Sequence, residues 1–192
     1  MARVALWGVV AAGVCGCSVT KPVQDEVVRH LLEPVVAEAP STAIEPRIAV
    51  ARPNLPRYLD RMQMVTRDAD GQIKTHDNHL WAESLNVNMA RVLTSNLRRL
   101  TRSRNVQTID SFVTADYSVL LEVRVHQFDP EPSGRLVLEC DWRLQPVIGG
   151  DIDPTPFRTE VVVDPGGRAM DGRVTAMNEA LGRLAREIAR SL

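Results

Sequence analysis

Residues 117–144 read YSVLLEVRVHQFDPEPSGRLVLECDWRL. In the first arm Tyr117, Val119, Leu121, Val123 and Val125 alternate with Ser118, Leu120, Glu122, Arg124 and His126. In the second, Leu136, Leu138, Cys140, Trp142 and Leu144 alternate with Arg135, Val137, Glu139, Asp141 and Arg143. A period of two places successive side chains on opposite faces of a strand, so each arm predicts one buried and one wetter face. Asp129-Pro130-Glu131-Pro132-Ser133-Gly134 between them is rich in turn-forming residues. The stretch predicts a long antiparallel hairpin belonging to a sheet covered on one side.

Downstream, Phe157 to Val163 predicts a further strand and Asp164-Pro165-Gly166-Gly167 a turn. Val174 to Ile188 then carries apolar residues at helical spacing (Val174, Met177, Leu181, Leu184, Ala185, Ile188). Upstream, Leu80 to Leu100 shows the same period through Leu85, Met89, Val92, Leu93, Asn96, Leu97 and Leu100, with Arg91, Arg98 and Arg99 on the other side. Asp77 and Asn78 mark its expected start, and residues 101–105 its frayed end. Before it, Arg47 to Ala51 and Met62 to Arg67 predict short strands, with Asp68 to Gly71 as a turn and Gln72 to Thr75 as a return. Val27 to Leu32 predicts an edge strand stopped by Glu33-Pro34, and Val35 to Pro46 a connector. Two helices laid on one face of an antiparallel sheet satisfy every apolar stripe, an α+β fold in a single domain.

The N-terminus reads differently. Met1-Ala2-Arg3, the apolar Val4 to Ala12, and Val14-Cys15-Gly16-Cys17-Ser18 form a basic start, a short apolar run and a small-residue break, the parts of a secretory signal. The run is shorter than the ~20 apolar residues of a membrane-spanning helix. The break resembles the lipobox of bacterial lipoproteins, with Gly16 before the cut and Cys17 acylated as the new N-terminus. Cys15 would put the branched Val14 at the cut, so Cys17 is the expected lipidation site. The resulting division is 1–16 signal peptide, 17–26 lipidated N-terminus and tether, and 27–192 folded domain. In families with this signal, Ser after the cysteine favours the periplasmic face of the outer membrane over the inner membrane.

Composition excludes several partners. The chain has 192 residues with 23 Lys plus Arg against 24 Asp plus Glu. Such a balance gives no argument for nucleic acid or for bulk attraction to a charged membrane. The three cysteines are Cys15, Cys17 and Cys140, so one thiol remains after acylation and no internal disulfide is expected.

Chemistry has few candidates. His76-Asp77-Asn78-His79 spaces two histidines for a helical turn, yet a catalytic zinc needs a third protein ligand and only Glu83 lies near. A solvated helix entrance is the expectation there. No G-x-S-x-G, H-E-x-x-H or phosphate-binding glycine loop occurs. Asp60, Glu83 and Asp110 are scattered acids, and Cys140 falls on the apolar side of its strand. Arg98, Arg99, Arg102 and Arg104 could meet phosphate or lipid headgroups, though such a run is more often the solvated end of a helix, favoured by its dipole. No catalytic residue, metal or cofactor is expected.

Two motifs carry a resemblance: LPRYLDRMQMVTR (Leu55 to Arg67) and WAESLNVNMARVLTSNL (Trp81 to Leu97). With the lipobox they resemble the ABC-type transport auxiliary lipoproteins, the group typified by the paraquat-inducible lipoprotein C (PqiC-like, YmbA-like). The family pattern runs close to L-P-x-Y-L-D-R-P-Q-I-V-T-R, then W-A-E-P-L. Leu55, Pro56, Tyr58, Leu59, Asp60, Arg61, Gln63, Val65, Thr66, Arg67, Trp81, Ala82, Glu83 and Leu85 match it, while Met62 and Ser84 stand where proline is usual. The resemblance implies a non-enzymatic outer-membrane lipoprotein serving an ABC-type or MCE-domain lipid transport system, with homo-oligomeric rings as a family precedent. A lipoprotein that binds a soluble ligand or regulates a cell-wall enzyme is the alternative. Leu55, Tyr58, Leu59, Asp60, Arg61 and Trp81 are the expected partner-binding residues, aromatic and Arg chemistry being enriched at interfaces. A second reading stays open, in which Tyr58 and Leu59 close the sheet's end over Trp81 and Asp60 bonds Arg61 or Arg67.

Overall fold

The structure is a computed structural model, and it describes residues 26–37, 47–109, 117–147, 153–167 and 169–192. The signal segment, Cys17, Ser18, the tether up to residue 25, Asp110 and most of the 35–46 connector lie outside the described residues.

The predicted hairpin is the centre of the fold. β6 (Val119–Pro130) and β7 (Leu136–Pro146) pair antiparallel, and Val119, Leu121, Val123 and Val125 are buried as the alternation requires. A bulge between Val125 and Gln127 then shifts the phase, so Phe128, Asp129 and Pro130 are buried instead. The turn is consequently tighter than DPEPSG suggests. It spans Glu131 to Arg135, and Gly134 supplies the φ of 91° that it needs. β8 (Phe157–Val163) adds antiparallel to β7 with the predicted bounds.

Not every pairing is antiparallel. β2 (Ile48–Val50) runs parallel to β6 and to β5 (Val106–Thr108), a strand the sequence reading missed, giving a five-stranded sheet ordered β5-β2-β6-β7-β8. A second sheet has three strands. Its edge strand β1 (Val28–His30) pairs parallel with β4 (Ile73–Trp81), which pairs antiparallel with β3 (Gln63–Arg67). The single antiparallel sheet of the sequence reading is therefore two mixed sheets. The correction has a physical origin: alternation fixes which face of a strand is buried, and says nothing about which neighbour runs beside it.

α1 (Leu85–Thr101) lies over β2 and β5, and α2 (Met170–Arg190) over β7 and β8, with the helices packed on each other. Their apolar stripes meet the inner faces of the strands in one core that includes Trp142, Phe128, Leu93, Leu97, Leu181 and Leu184. Burial of this scale, near 25 cal/mol per Å² of apolar surface, is what opposes the chain's conformational entropy. Cys140 is fully buried there, and desolvation pushes its thiol up to about 12, which fits an inert core residue.

Residues 31–36 form a strap across the two helices. Arg91 Nη2 donates to the Leu32 carbonyl at 2.7 Å, and Arg99 Nη1 to those of Pro34 and Val36 at 3.2 and 3.1 Å. The Glu33 and Val36 amides donate to Asn178 Oδ1 and Asn96 Oδ1 at 2.9 and 3.3 Å. Leu32 and Val36 are buried beneath it. Gly182 of α2 permits the close approach, since a Cβ there would sit 3.0 Å from a Val35 methyl.

Candidate functional site

The motif 55–67 comprises an irregular turn followed by β3. Two prolines deny Asn54 to Pro56 a regular strand, and the Asn54 amide instead donates to the Val123 carbonyl at 2.9 Å while Val125 N returns the bond to Asn54 O. One turn closes where Leu59 N donates to Pro56 O at 2.9 Å. Leu59 is buried, and Tyr58 is delivered toward the far end of β6.

There it meets Asp129, whose side chain is fully buried. The Tyr58 hydroxyl donates to Asp129 Oδ1 at 2.5 Å. Arg67 grips the same carboxylate with two donors, Nε to Oδ2 at 3.0 Å and Nη2 to Oδ1 at 3.2 Å, and its guanidinium lies 5.6 Å from the Tyr58 ring centroid. Such a forked, charge-assisted contact fixes orientation as well as charge. Burial, and then the hydrogen bond to Asp129, raise the Tyr58 pKa well above its ordinary value, so the phenol stays a donor. The bond to Asp129 likewise raises Arg67. This triad joins the two sheets, since β3 belongs to one and β6 to the other.

The six expected partner-binding residues thus divide. Leu59 and Trp81 are core residues at 3% exposure each, and neither can face a partner. Leu55 and Tyr58 are half-buried and pack against the core. Asp60 and Arg61 are exposed, together with Arg57 and Met62. The internal bond imagined for Asp60 does not form with Arg67, whose carboxylate partner is Asp129. Sequence reading missed Asp129 because it precedes proline in an apparent turn. Its one signal was an acid following the apolar Phe128 at a strand end.

The other candidate cluster moves from a helix to a strand. Asp77 and Asn78 do not open α1; they lie within β4, and the helix starts after Ser84. The polar run H-D-N-H looked like a capping segment because Asp and Asn favour helix starts and a helical period follows a few residues later. His79 Nδ1 and His30 Nε2 of β1 are 3.0 Å apart and share a hydrogen bond, and His76 Nε2 sits 3.0 Å from Thr66 Oγ1. Among the described residues no group of three or more His, Cys, Asp or Glu is arranged to hold a metal ion.

These histidines give the small sheet a pH dependence. Burial, then the charge of His79, lower the His30 pKa, with Asp171 opposing. Burial, then Arg173 and His79, lower His76, with Asp77 opposing. The unfolded chain therefore binds protons more readily than the fold at both sites. Stability present above the ordinary histidine value of 6.5 is lost as pH falls through the lower folded values. Thermal melts between pH 7.5 and pH 5 should show a falling Tm with a shallower slope in His76→Gln; an unchanged slope would refute the assignment.

Among solved structures, one described as an uncharacterized protein is 18% identical with a TM-score of 0.66, the match covering 86% of this chain and 98% of that one. Protein XCC0632 from Xanthomonas campestris is 14% identical with a TM-score of 0.67, covering 84% and 92%. At these identities the likeness is one of fold. No curated protein matches the chain. A family profile does: it describes the ABC-type transport auxiliary lipoprotein component and matches residues 30–189, spanning both sheets and both helices, and the protein belongs to that family.

Proposed function

We propose that this protein is a non-enzymatic docking component of an MCE-domain lipid transport system, held by acylated Cys17 at the periplasmic face of the outer membrane. The observation that carries the docking role is the division within the motif. Tyr58 and Arg67 are locked on buried Asp129, while Arg57, Asp60, Arg61 and Met62 project from the same short segment into solvent. A rigid base under exposed charged and apolar side chains is how an interface limits the ordering cost of binding. Arg is moreover the charged residue most often found at the energetic centre of interfaces.

Membership of a lipoprotein transport family supports the anchor and the transport partner, and Ser18 supports the outer membrane. Two or more acyl chains hold a protein stably on a bilayer where a single chain does not, so full acylation of Cys17 would keep the docking face at the surface. The test is co-purification with the MCE partner. Arg61→Glu should weaken capture at least about tenfold while changing stability by no more than about 0.5 kcal/mol, as exposed positions do. Undiminished capture would remove the 57–62 surface from the interface. Membrane fractionation tests the anchor separately: the wild type should sediment with outer membranes and Cys17→Ala should be soluble or mislocalised. Recovery of the wild type from inner membranes would overturn that location.

A further inference from the structure

The C-terminal end of α1 carries a second feature, at the opposite pole of that helix from the docking loop. Leu59 of the loop lines the same crevice as Leu85, the first residue of α1. Thirteen to nineteen residues later, from about 20 Å along the axis and past the helix end, Arg98, Arg99, Arg102, Ser103 and Arg104 line an open cleft of about 360 Å³. Basic residues at a helix end ordinarily serve that helix's own carbonyls and dipole. Here the bonds go elsewhere. Arg98 Nε donates to Val106 O at 2.6 Å, and Arg99 Nη1 to Pro34 O and Val36 O. Leu97 O receives its bond from the Thr101 hydroxyl at 2.8 Å.

Both guanidiniums are thus held in place by backbone oxygens, and among the described residues their remaining N–H groups meet no carboxylate. Arg102 and Arg104 are exposed and make no ion pair among the described residues. Several arginines elsewhere are matched with acids: Arg67 with Asp129, Arg91 with Glu83, Arg135 with Glu131, Arg143 with Glu122, Arg183 with Glu179. Four guanidiniums within seven residues without one acid among them concentrate positive charge that no described carboxylate offsets, in a chain whose overall balance is close to zero.

Arg102 adds an independent point. Its φ of 51° and ψ of 23° are left-handed, the conformation that glycine supplies at helix ends. An L-residue with a Cβ is less comfortable there than glycine. Backbone economy would put glycine at this position, and the chain puts a guanidinium.

We infer that the Arg98–Arg104 cleft is a binding site for a phosphate-bearing anion. Planar guanidiniums with fixed donors match phosphate oxygens in pairs, and two of the four are already oriented by carbonyls. A cleft of this size admits a phosphodiester head such as phosphoglycerol as readily as a free phosphate. The inference does not depend on the docking loop, which lies at the helix's other end.

The test is calorimetric titration of the full chain in non-ionic detergent at low salt. The ligands are inorganic phosphate, glycerol 3-phosphate and short-chain phosphatidylglycerol, with short-chain phosphatidylcholine as the control for simple partitioning. Saturable binding that weakens as salt is added is the expected result. Arg102→Gly/Arg104→Gln should lose it at least about tenfold while keeping or raising Tm, because glycine relieves the left-handed position. Tighter binding of phosphatidylglycerol than of glycerol 3-phosphate identifies the lipid as the source. Equal binding of the two identifies the free phosphate ester. Failure of all the anions to bind, or binding unchanged in the double variant, overturns the site.

Discussion

Asp129→Ala is expected to lower stability by about 3 kcal/mol, close to a 10 °C fall in melting temperature for a chain of this size. The carboxylate is fully buried and accepts three hydrogen bonds, one from Tyr58 and two from Arg67. Removing it strands a phenol that is half-buried and a guanidinium whose side chain is only 29% exposed. The exposed part of Arg67 can rehydrate, which keeps the figure at the lower end of the range for a broken buried pair. Asp129→Asn retains shape and an acceptor for Tyr58 but not the charge facing Arg67, and should fall between wild type and alanine. Tyr58→Phe removes a single bond and should cost about 1 kcal/mol. Thermal melts of the three variants give the ordering. An alanine variant as stable as Tyr58→Phe would show that the triad does not join the two sheets.

Trp81→Ala should cost about 3–5 kcal/mol, the range for losing a large aromatic from a packed core. Trp81 is 3% exposed and lines, with Leu59, Met64, Leu85, Phe128 and Met177, a crevice of only about 10 Å³. Space that small is near the limit for admitting one water molecule, so the missing indole would leave a cavity with nothing to fill it. The contrast with Arg61 is informative, because both residues sit in the motifs that carry the family likeness. Chemical denaturation should show Trp81→Ala shifting the midpoint strongly and Arg61→Glu hardly at all. A small shift for Trp81→Ala would mean that the three-stranded sheet opens and repacks at low cost.

Much of this architecture was legible because local patterns are strong where one face is buried. The hairpin alternation held through Val125, the bounds of β8 were read directly, and α2 differed only at its ends. Failures cluster where a partner distant in sequence decides the outcome. β4 continues to Trp81 because β3 and β1 bind it on both sides, and a polar segment such as His76 to His79 carries no apolar signal of that. β5 is three residues long and is a strand only because β2 lies beside it. Asp129 looked like a turn acid until the bulge turned it inward to meet Arg67, 62 residues away. For the candidate site, the motif's position was legible and its division into buried clamp and exposed surface was not, since Tyr58, Leu59, Asp60 and Arg61 are successive residues with different exposures.

The parallel pairing of β1 with β4 also has a mechanical meaning. A load applied at Glu26 enters the described fold through β1, a strand of three residues. A pull along that strand stretches its bonds to β4 together rather than peeling them one at a time. If β1 yields, the load passes to the strap, whose five contacts from Arg91, Arg99, Asn96 and Asn178 grip both helices. The N-terminal segment is built as a two-stage brake: tension applied at that end must shear a strand and then strip a strap before it can reach the core.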